Sequence, residues 1–147
     1  MKMVDVGQKA HTERVAVATA LLRMRPATAR AVKAGKVAKG NVLEAARLAA
    51  VMAAKRTPDL VPLCHPLALT AVSPELSFGK DGLRIQVTVK TTDRTGVEME
   101  ALTACAAAGL TAYDMLKSMD RGMVLESLQL EEKSGGRSGT WRRSRGR

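Results

Sequence analysis

Aromatic residues are almost missing from this chain: its 147 residues hold one Trp, one Tyr and one Phe, 2% of the total. A core without rings has to be assembled from Ala, Val, Leu and Met. Ala-rich helices pack with their backbones close together, within a subunit or between subunits. The same shortage weighs against single-strand nucleic-acid binding, which relies on aromatic platforms for base stacking. Cysteine is scarce as well. Cys64 and Cys105 make neither a disulfide framework nor a metal-binding array, so each reads as a reduced thiol. Adjacent Cys64 and His65 cannot easily chelate one ion, and no metal site is expected. The opening Met1-Lys-Met-Val-Asp5 holds no apolar stretch of the signal-sequence kind, and the uncharged run Ala101 to Tyr113 is too short to cross a bilayer. A soluble cytoplasmic protein is expected. The Walker A pattern and the dinucleotide fingerprint are both missing, which excludes the common nucleotide-binding modes.

What is present is an ordinary apolar fraction of 46% and a net charge of +10. The length suits one domain, burying roughly two-thirds of its extended-chain surface. The boundaries expected are a single domain over 1–139 and a basic, disordered tail over 140–147. Arg142, Arg143, Arg145 and Arg147 crowd that tail, and setting them aside leaves +6 on residues 1–141. Such charge favours an anionic partner, a phosphate, nucleotide or nucleic acid. It also suits a merely solvated basic surface.

Periodicity predicts the elements. Arg14 to Met24 alternates as a strand; Pro26 opens a short helix that Gly35 stops; Asn41 caps a second helix running to about Ala54. In that helix Val42, Ala46, Ala49 and Ala53 share a face, and its apolar character nearly all round predicts burial. Thr57 to Pro66 holds three prolines and reads as a loop or an irregular turn, apolar around Cys64-His65. Leu67 to Phe78 and Leu83 to Thr92 form a hairpin about Gly79-Lys-Asp-Gly82. A long helix follows from Glu98 to near Met119, then a strand from Met123 to Glu132. The order β-α-α-β-β-α-β is that of an α+β layer of helices on a largely antiparallel sheet.

The long helix carries the polar residues best suited to chemistry. Asp114 and Lys117, three apart, share a face, so a carboxylate and an ammonium can exchange protons with a substrate. The same spacing is common in surface ion pairs. Glu98 and Glu100 favour the positive end of the helix dipole, which accounts for them without chemistry. Glu100 and Asp114 nevertheless lie on one stripe, about 21 Å apart along the axis. One helix cannot bring both to a small ligand, whereas two packed antiparallel about a twofold axis can. Lys133 precedes a Gly-Gly turn with Arg137, where backbone N–H groups and cations suit a phosphate. Lys55-Arg56 ends the second helix, where positive charge complements the dipole in any case.

Seven segments carry a resemblance to a known family: Met3-Val-Asp-Val-Gly7, Lys39-Gly-Asn-Val-Leu43, Ala53-Ala-Lys-Arg-Thr57, Asp59-Leu-Val-Pro-Leu-Cys-His-Pro-Leu67, Thr95-Gly-Val-Glu-Met-Glu-Ala-Leu-Thr-Ala104, Tyr113-Asp-Met-Leu-Lys117 and Lys133-Ser-Gly-Gly-Arg-Ser-Gly139. In this order, from Met3 to Gly139, they resemble the cyclic pyranopterin monophosphate synthase family of molybdenum cofactor biosynthesis. The resemblance implies a ferredoxin-like α+β subunit with helices on one side of the sheet. It further implies a hexamer built as a trimer of dimers, with the pocket at a dimer interface. The substrate implied is 3',8-cyclo-7,8-dihydro-GTP, converted to cyclic pyranopterin monophosphate with release of pyrophosphate, a lyase reaction.

By motif, Asp114 and Lys117 resemble the acid–base pair, and Leu63, Cys64, His65, Met99 and Glu100 the pocket. Lys55, Lys133 and Lys39 are further basic members. No cofactor is implied with certainty; Mg2+ is compatible with pyrophosphate departure, but the sequence does not demand it. Two departures stand out. The chain begins almost directly at Met3-Val-Asp-Val, without the longer leader usual in the family, and Asn41 replaces the aspartate usual after Lys39-Gly40. As a helix cap, Asn serves equally well. Two competing readings are a duplex nucleic-acid binder, whose affinity would fall steeply with salt, and a noncatalytic oligomer. The basic charge favours the first, while Asp114, Lys117, His65 and Glu100 occurring together disfavour the second.

Overall fold

Strict alternation builds the first strand, β1 (Thr12–Arg23): Arg14, Ala16, Ala18, Ala20 and Leu22 are buried, and Val15, Val17, Thr19 and Leu21 between them are half-buried. The computed structural model describes residues 1–145, so Arg147 of the expected tail lies outside the described residues. Helix α1 (Pro26–Lys33) starts on a proline whose missing N–H would have had no partner there. Helix α2 (Val42–Lys55) is capped as expected, with Asn41 Oδ1 accepting from the Glu44 N–H at 3.1 Å.

The buried stripe of α2 is Val42, Ala46, Ala50 and Ala54, not the face through Ala49 and Ala53. A straight i, i+4 ridge of small side chains is what a neighbouring helix can accept closely. Nor is α2 buried all round, because Leu48 is 64% and Met52 47% exposed. The proline-rich stretch read as a loop or an irregular turn begins with one regular helical turn, α3 (Thr57–Leu60). Pro58 is tolerated in that first turn, and the Thr57 hydroxyl donates to the Ala53 and Ala54 carbonyls.

Strands β2 (Leu69–Gly79) and β3 (Gly82–Asp93) form the hairpin; α4 (Glu98–Leu116) follows, then β4 (Val124–Ser134). A two-residue strand, β5 (Trp141–Arg142), lies within the segment read from sequence as a tail and pairs with Lys133 and Glu132 of β4. The sheet order is β2-β3-β1-β4-β5 with every pair antiparallel. That is the split βαβ arrangement of a ferredoxin-like α+β fold, extended by one short strand.

The core lies between the inner sheet face and α2 and α4. Leu83, Ile85, Val87 and Val89 of β3 join the β1 alanines beneath Ala101, Ala104, Ala108 and Ala112 of α4. At Gly109 a Cβ would fall 2.5 Å from Leu125 Cδ1, so the Leu125 side chain of β4 sits directly against the α4 backbone. Past the helix, Asp120 turns back to the start of α1. Its Oδ2 accepts from the Arg25 N–H at 3.0 Å and the Thr28 hydroxyl at 2.9 Å, inside a buried pocket.

The register defines two ends. The beginning of β1 and the ends of β3 and β4 coincide, since Thr12 pairs with Asp93 and Val15 with Ser134. α2 ends and α4 begins at this end, called here the α4 start. The other end holds the β2–β3 turn and the C-terminus of α4. No helix among the described residues is long and apolar enough to cross a membrane.

Two substitutions test this packing. Gly82 has φ +146°, and a Cβ there would collide with the Leu22 carbonyl oxygen. Gly82→Ala is expected to lower stability by about 2–3 kcal/mol in urea denaturation, whereas Gly79→Ala, facing only the flexible Arg84 side chain, is expected to cost far less. Asp120→Ala is expected to cost about 1–3 kcal/mol by stranding the Arg25 and Thr28 donors. Burial opposes ionisation of Asp120, but these hydrogen bonds and the Arg25 charge outweigh it and lower its pKa. The contribution of Asp120 is therefore full above the unfolded carboxyl range and is lost as pH falls through the lowered value. An acid titration of stability that loses nothing on Asp120→Ala would contradict the assignment.

Candidate active site

Glu100 sits in the first turn of α4, as the dipole favours, yet its side chain turns inward and is only 2% exposed. One oxygen, Oε1, accepts from Cys64 Sγ at 3.5 Å; the other, Oε2, is buried without a partner among the described residues. Burial raises the Glu100 pKa, partly opposed by a backbone N–H and the Cys64 thiol, with the nearby Glu98 charge adding to the rise. Burial also pushes the Cys64 thiol up to about 11, and the Glu100 carboxyl adds to that. The thiol therefore stays protonated at neutral pH and acts as a donor.

Around this pair the α4 start gathers most of the candidates. The segment after α3 presents Leu63, 45% exposed, with Cys64 and His65 half-buried, and α4 adds Met99, 40% exposed. Lys55 reaches the same end because α2 stops there, and Lys133 does so from the end of strand β4, donating to the Ser138 hydroxyl.

The opposite end carries the other three candidates. Asp114, on the last exposed turn of α4, is clamped between two lysines: Lys117 Nζ lies 2.7 Å from Oδ1 and Lys39 Nζ 2.8 Å from Oδ2. Lys39 comes from the turn before α2 and also donates to the Asp114 carbonyl at 3.2 Å. Hydrogen bonds from Lys117 and then Lys39, with their charges, lower the Asp114 pKa to about 2. Asp114 is thus a carboxylate at neutral pH with an ammonium on each side.

Within one chain, then, Asp114, Lys117 and Lys39 form one cluster, and Lys55, Leu63, Cys64, His65, Met99, Glu100 and Lys133 gather at the other end of α4. The two carboxylates are about 21 Å apart along the helix. One further group at the α4 start, Arg14, escaped the sequence reading. Arg14 is buried, its Nε donating to the Asp93 carbonyl at 2.9 Å and its guanidinium lying under Gly136, where a Cβ would strike it. Its signal was its place in the β1 alternation, in phase with Ala16 to Leu22. Glu98, read from sequence only as a dipole partner, adds its charge to the rise in both the Cys64 and Glu100 pKa values. Among the described residues no group of three or more His, Cys, Asp or Glu side chains is arranged to hold a metal ion.

Chemically, one helix displays two carboxyls driven in opposite directions, Glu100 toward the acid form and Asp114 toward the anion. Such divergence is how a fold separates proton donors from acceptors.

Named proteins resemble this chain along nearly its whole length. The synthase of Novosphingobium aromaticivorans named cyclic pyranopterin monophosphate synthase is 56% identical over 96% of this chain and 90% of its own. Proteins of the same name from Thermomicrobium roseum, 56% identical over 97% of this chain and 87% of theirs, and from Rhodospirillum rubrum, 57% identical over 95% and 85%, agree equally well. The model of the MoaC family matches residues 3–136, spanning both ends of α4 and every candidate residue. This chain belongs to the MoaC family.

Proposed function

We propose that the chain is a cyclic pyranopterin monophosphate synthase acting in the cytoplasm, a lyase of molybdenum cofactor biosynthesis. Its substrate is 3',8-cyclo-7,8-dihydro-GTP, remade into cyclic pyranopterin monophosphate with loss of pyrophosphate. The observation that carries this is Asp114 held between Lys117 and Lys39, in a chain more than half identical to named synthases along nearly its whole length. Opening and reclosing the purine-derived ring takes several proton transfers, so groups of different pKa have to share one pocket. Asp114 accepts protons or steadies positive charge, Lys117 donates, and Glu100 supplies a second acid. Attack of a sugar hydroxyl on the α-phosphorus expels pyrophosphate, whose charge Lys39, Lys55 and Lys133 are suited to stabilise. Leu63, Met99, Cys64 and His65 would line the pocket around the ring.

The two clusters become one site only across two subunits. The reading therefore includes a homo-oligomer, a hexamer arranged as a trimer of dimers, in which antiparallel α4 helices bring one copy's Asp114 end to another's Glu100 end. Exposed Leu48, Met52, Leu60, Leu63, Met99 and Leu110 support self-association, since a monomer would leave this much apolar surface in water. Mixing inactive Asp114→Asn with inactive Glu100→Gln subunits is expected to restore pyrophosphate release. Failure to do so in mixed, exchanged oligomers would refute the shared site.

The central test is pyrophosphate release from the cyclic dihydro-GTP. Asp114→Asn and Lys117→Ala are each expected to lower kcat by about 10²–10⁴-fold while remaining folded. No release by the folded native oligomer, with or without Mg2+, would overturn the reading. pH dependence follows from the lowered Asp114 pKa. An activity that needs its carboxylate is complete above the ordinary value of 3.8 and survives until pH nears 2. Lys39→Ala removes part of that support, so its Asp114 carboxyl, followed by NMR titration, is expected to protonate at higher pH than in the native chain.

A further inference from the structure

Of the chain's three aromatic rings, two are committed at the far end of the sheet. Phe78, next to last in β2, lies beneath Lys33, whose Nζ is 5.1 Å from the ring centroid, and Tyr113 donates its hydroxyl to the Arg121 carbonyl. The third, Trp141, is placed differently. It forms β5 with Arg142 and pairs directly with Lys133 on β4, so the two side chains project from the same face. Lys133 in turn pairs with Ala16, whose side chain faces the helices. Trp141 therefore stands beside Lys133 at the α4 start, on the helix-bearing side of the sheet.

Several contacts hold it there. The Arg143 N–H donates to the Glu131 carbonyl at 2.8 Å and its Nε to the Leu130 carbonyl at 2.8 Å. Arg142 lies 3.6 Å from Glu132, and the Arg143 guanidinium sits 5.6 Å from the indole centroid. An arginine over one face polarises and orients an indole. With all this, Trp141 is still 42% exposed. The most costly side chain to leave in water is fixed next to a candidate phosphate-binding lysine.

We propose that Trp141 is a substrate-binding residue, its indole stacking on the flat, purine-derived ring of an anionic ligand whose charged part meets Lys133. The inference rests on the synthase reading for the identity of that ligand and adds a residue that reading does not contain. Stacking between an aromatic side chain and a nucleobase-like ring tolerates changes in ring substituents, which suits a site where the ring is opened and reclosed.

Because Trp141 is the sole tryptophan, indole emission reports on it alone. The cyclic dihydro-GTP is titrated into the full-length Lys117→Ala oligomer, so that turnover does not consume it. Saturable quenching is expected, and in the otherwise native chain Trp141→Ala is expected to raise KM about tenfold or more with kcat changed much less. Trp141→Phe keeps a ring and is expected to restore most of the KM. Flat emission together with an unchanged KM in a folded Trp141→Ala oligomer would overturn the proposal. So would emission that responds to protein dilution but not to the ligand, which would make the indole a contact between copies. Failure of the synthase reading is separate: a native chain that releases no pyrophosphate but whose emission this compound quenches would lose the reaction and keep the binding residue.

Discussion

How closely α4 can lie on the sheet sets the geometry of everything else in this molecule. Ala101, Ala104, Ala108 and Ala112 present almost no side chain, Gly109 presents none, and the strands beneath answer with Ala16, Ala18 and Ala20. Large residues would hold the layers apart; small ones let dispersion act at near-backbone distance over the length of the helix. Because the helix is held along its length, groups at its two ends are held too, and those ends are where the charged chemistry lies.

The contrast between Glu100 and Asp114 comes from that placement. Both are acidic residues on one helix, and both would be unremarked on an isolated peptide. The seated helix puts the Glu100 turn beneath the Cys64 segment, where water is excluded and the acid form is favoured. It puts the Asp114 turn at the rim, where the turn before α2 delivers Lys39 to meet Lys117. Burial and opposite charge are separate physical causes, and they act here in opposite directions on chemically similar groups. A site assembled from both would have an acid and a base without needing two kinds of side chain.

Much of the architecture was legible in residue order. Alternation in β1 and β3, the Asn41 cap, the glycine-bounded hairpin and the uncharged stretch of α4 each reflect interactions within a few residues, which sequence displays directly. The misreadings have a common origin. The buried stripe of α2 depends on which ridge α4 accepts, the α3 turn depends on Thr57 reaching the α2 carbonyls, and β5 exists because β4 offers an edge. None of these is a local property of the segment concerned. The site divides in the same way: Asp114 with Lys117 is an i, i+3 pair readable from spacing, whereas Lys39 is separated from Asp114 by 75 residues.

By itself, then, the sequence determined the periodicities, the caps, the family motifs and the small-residue composition that makes close layers feasible, because these depend on neighbours along the chain. Only the tertiary structure decided that Glu100 loses its water, that Arg14 is buried under Gly136, and that the single tryptophan stands beside Lys133. Those facts depend on strand register and on the exclusion of solvent between layers, and both arise only when residues far apart in the chain are packed together.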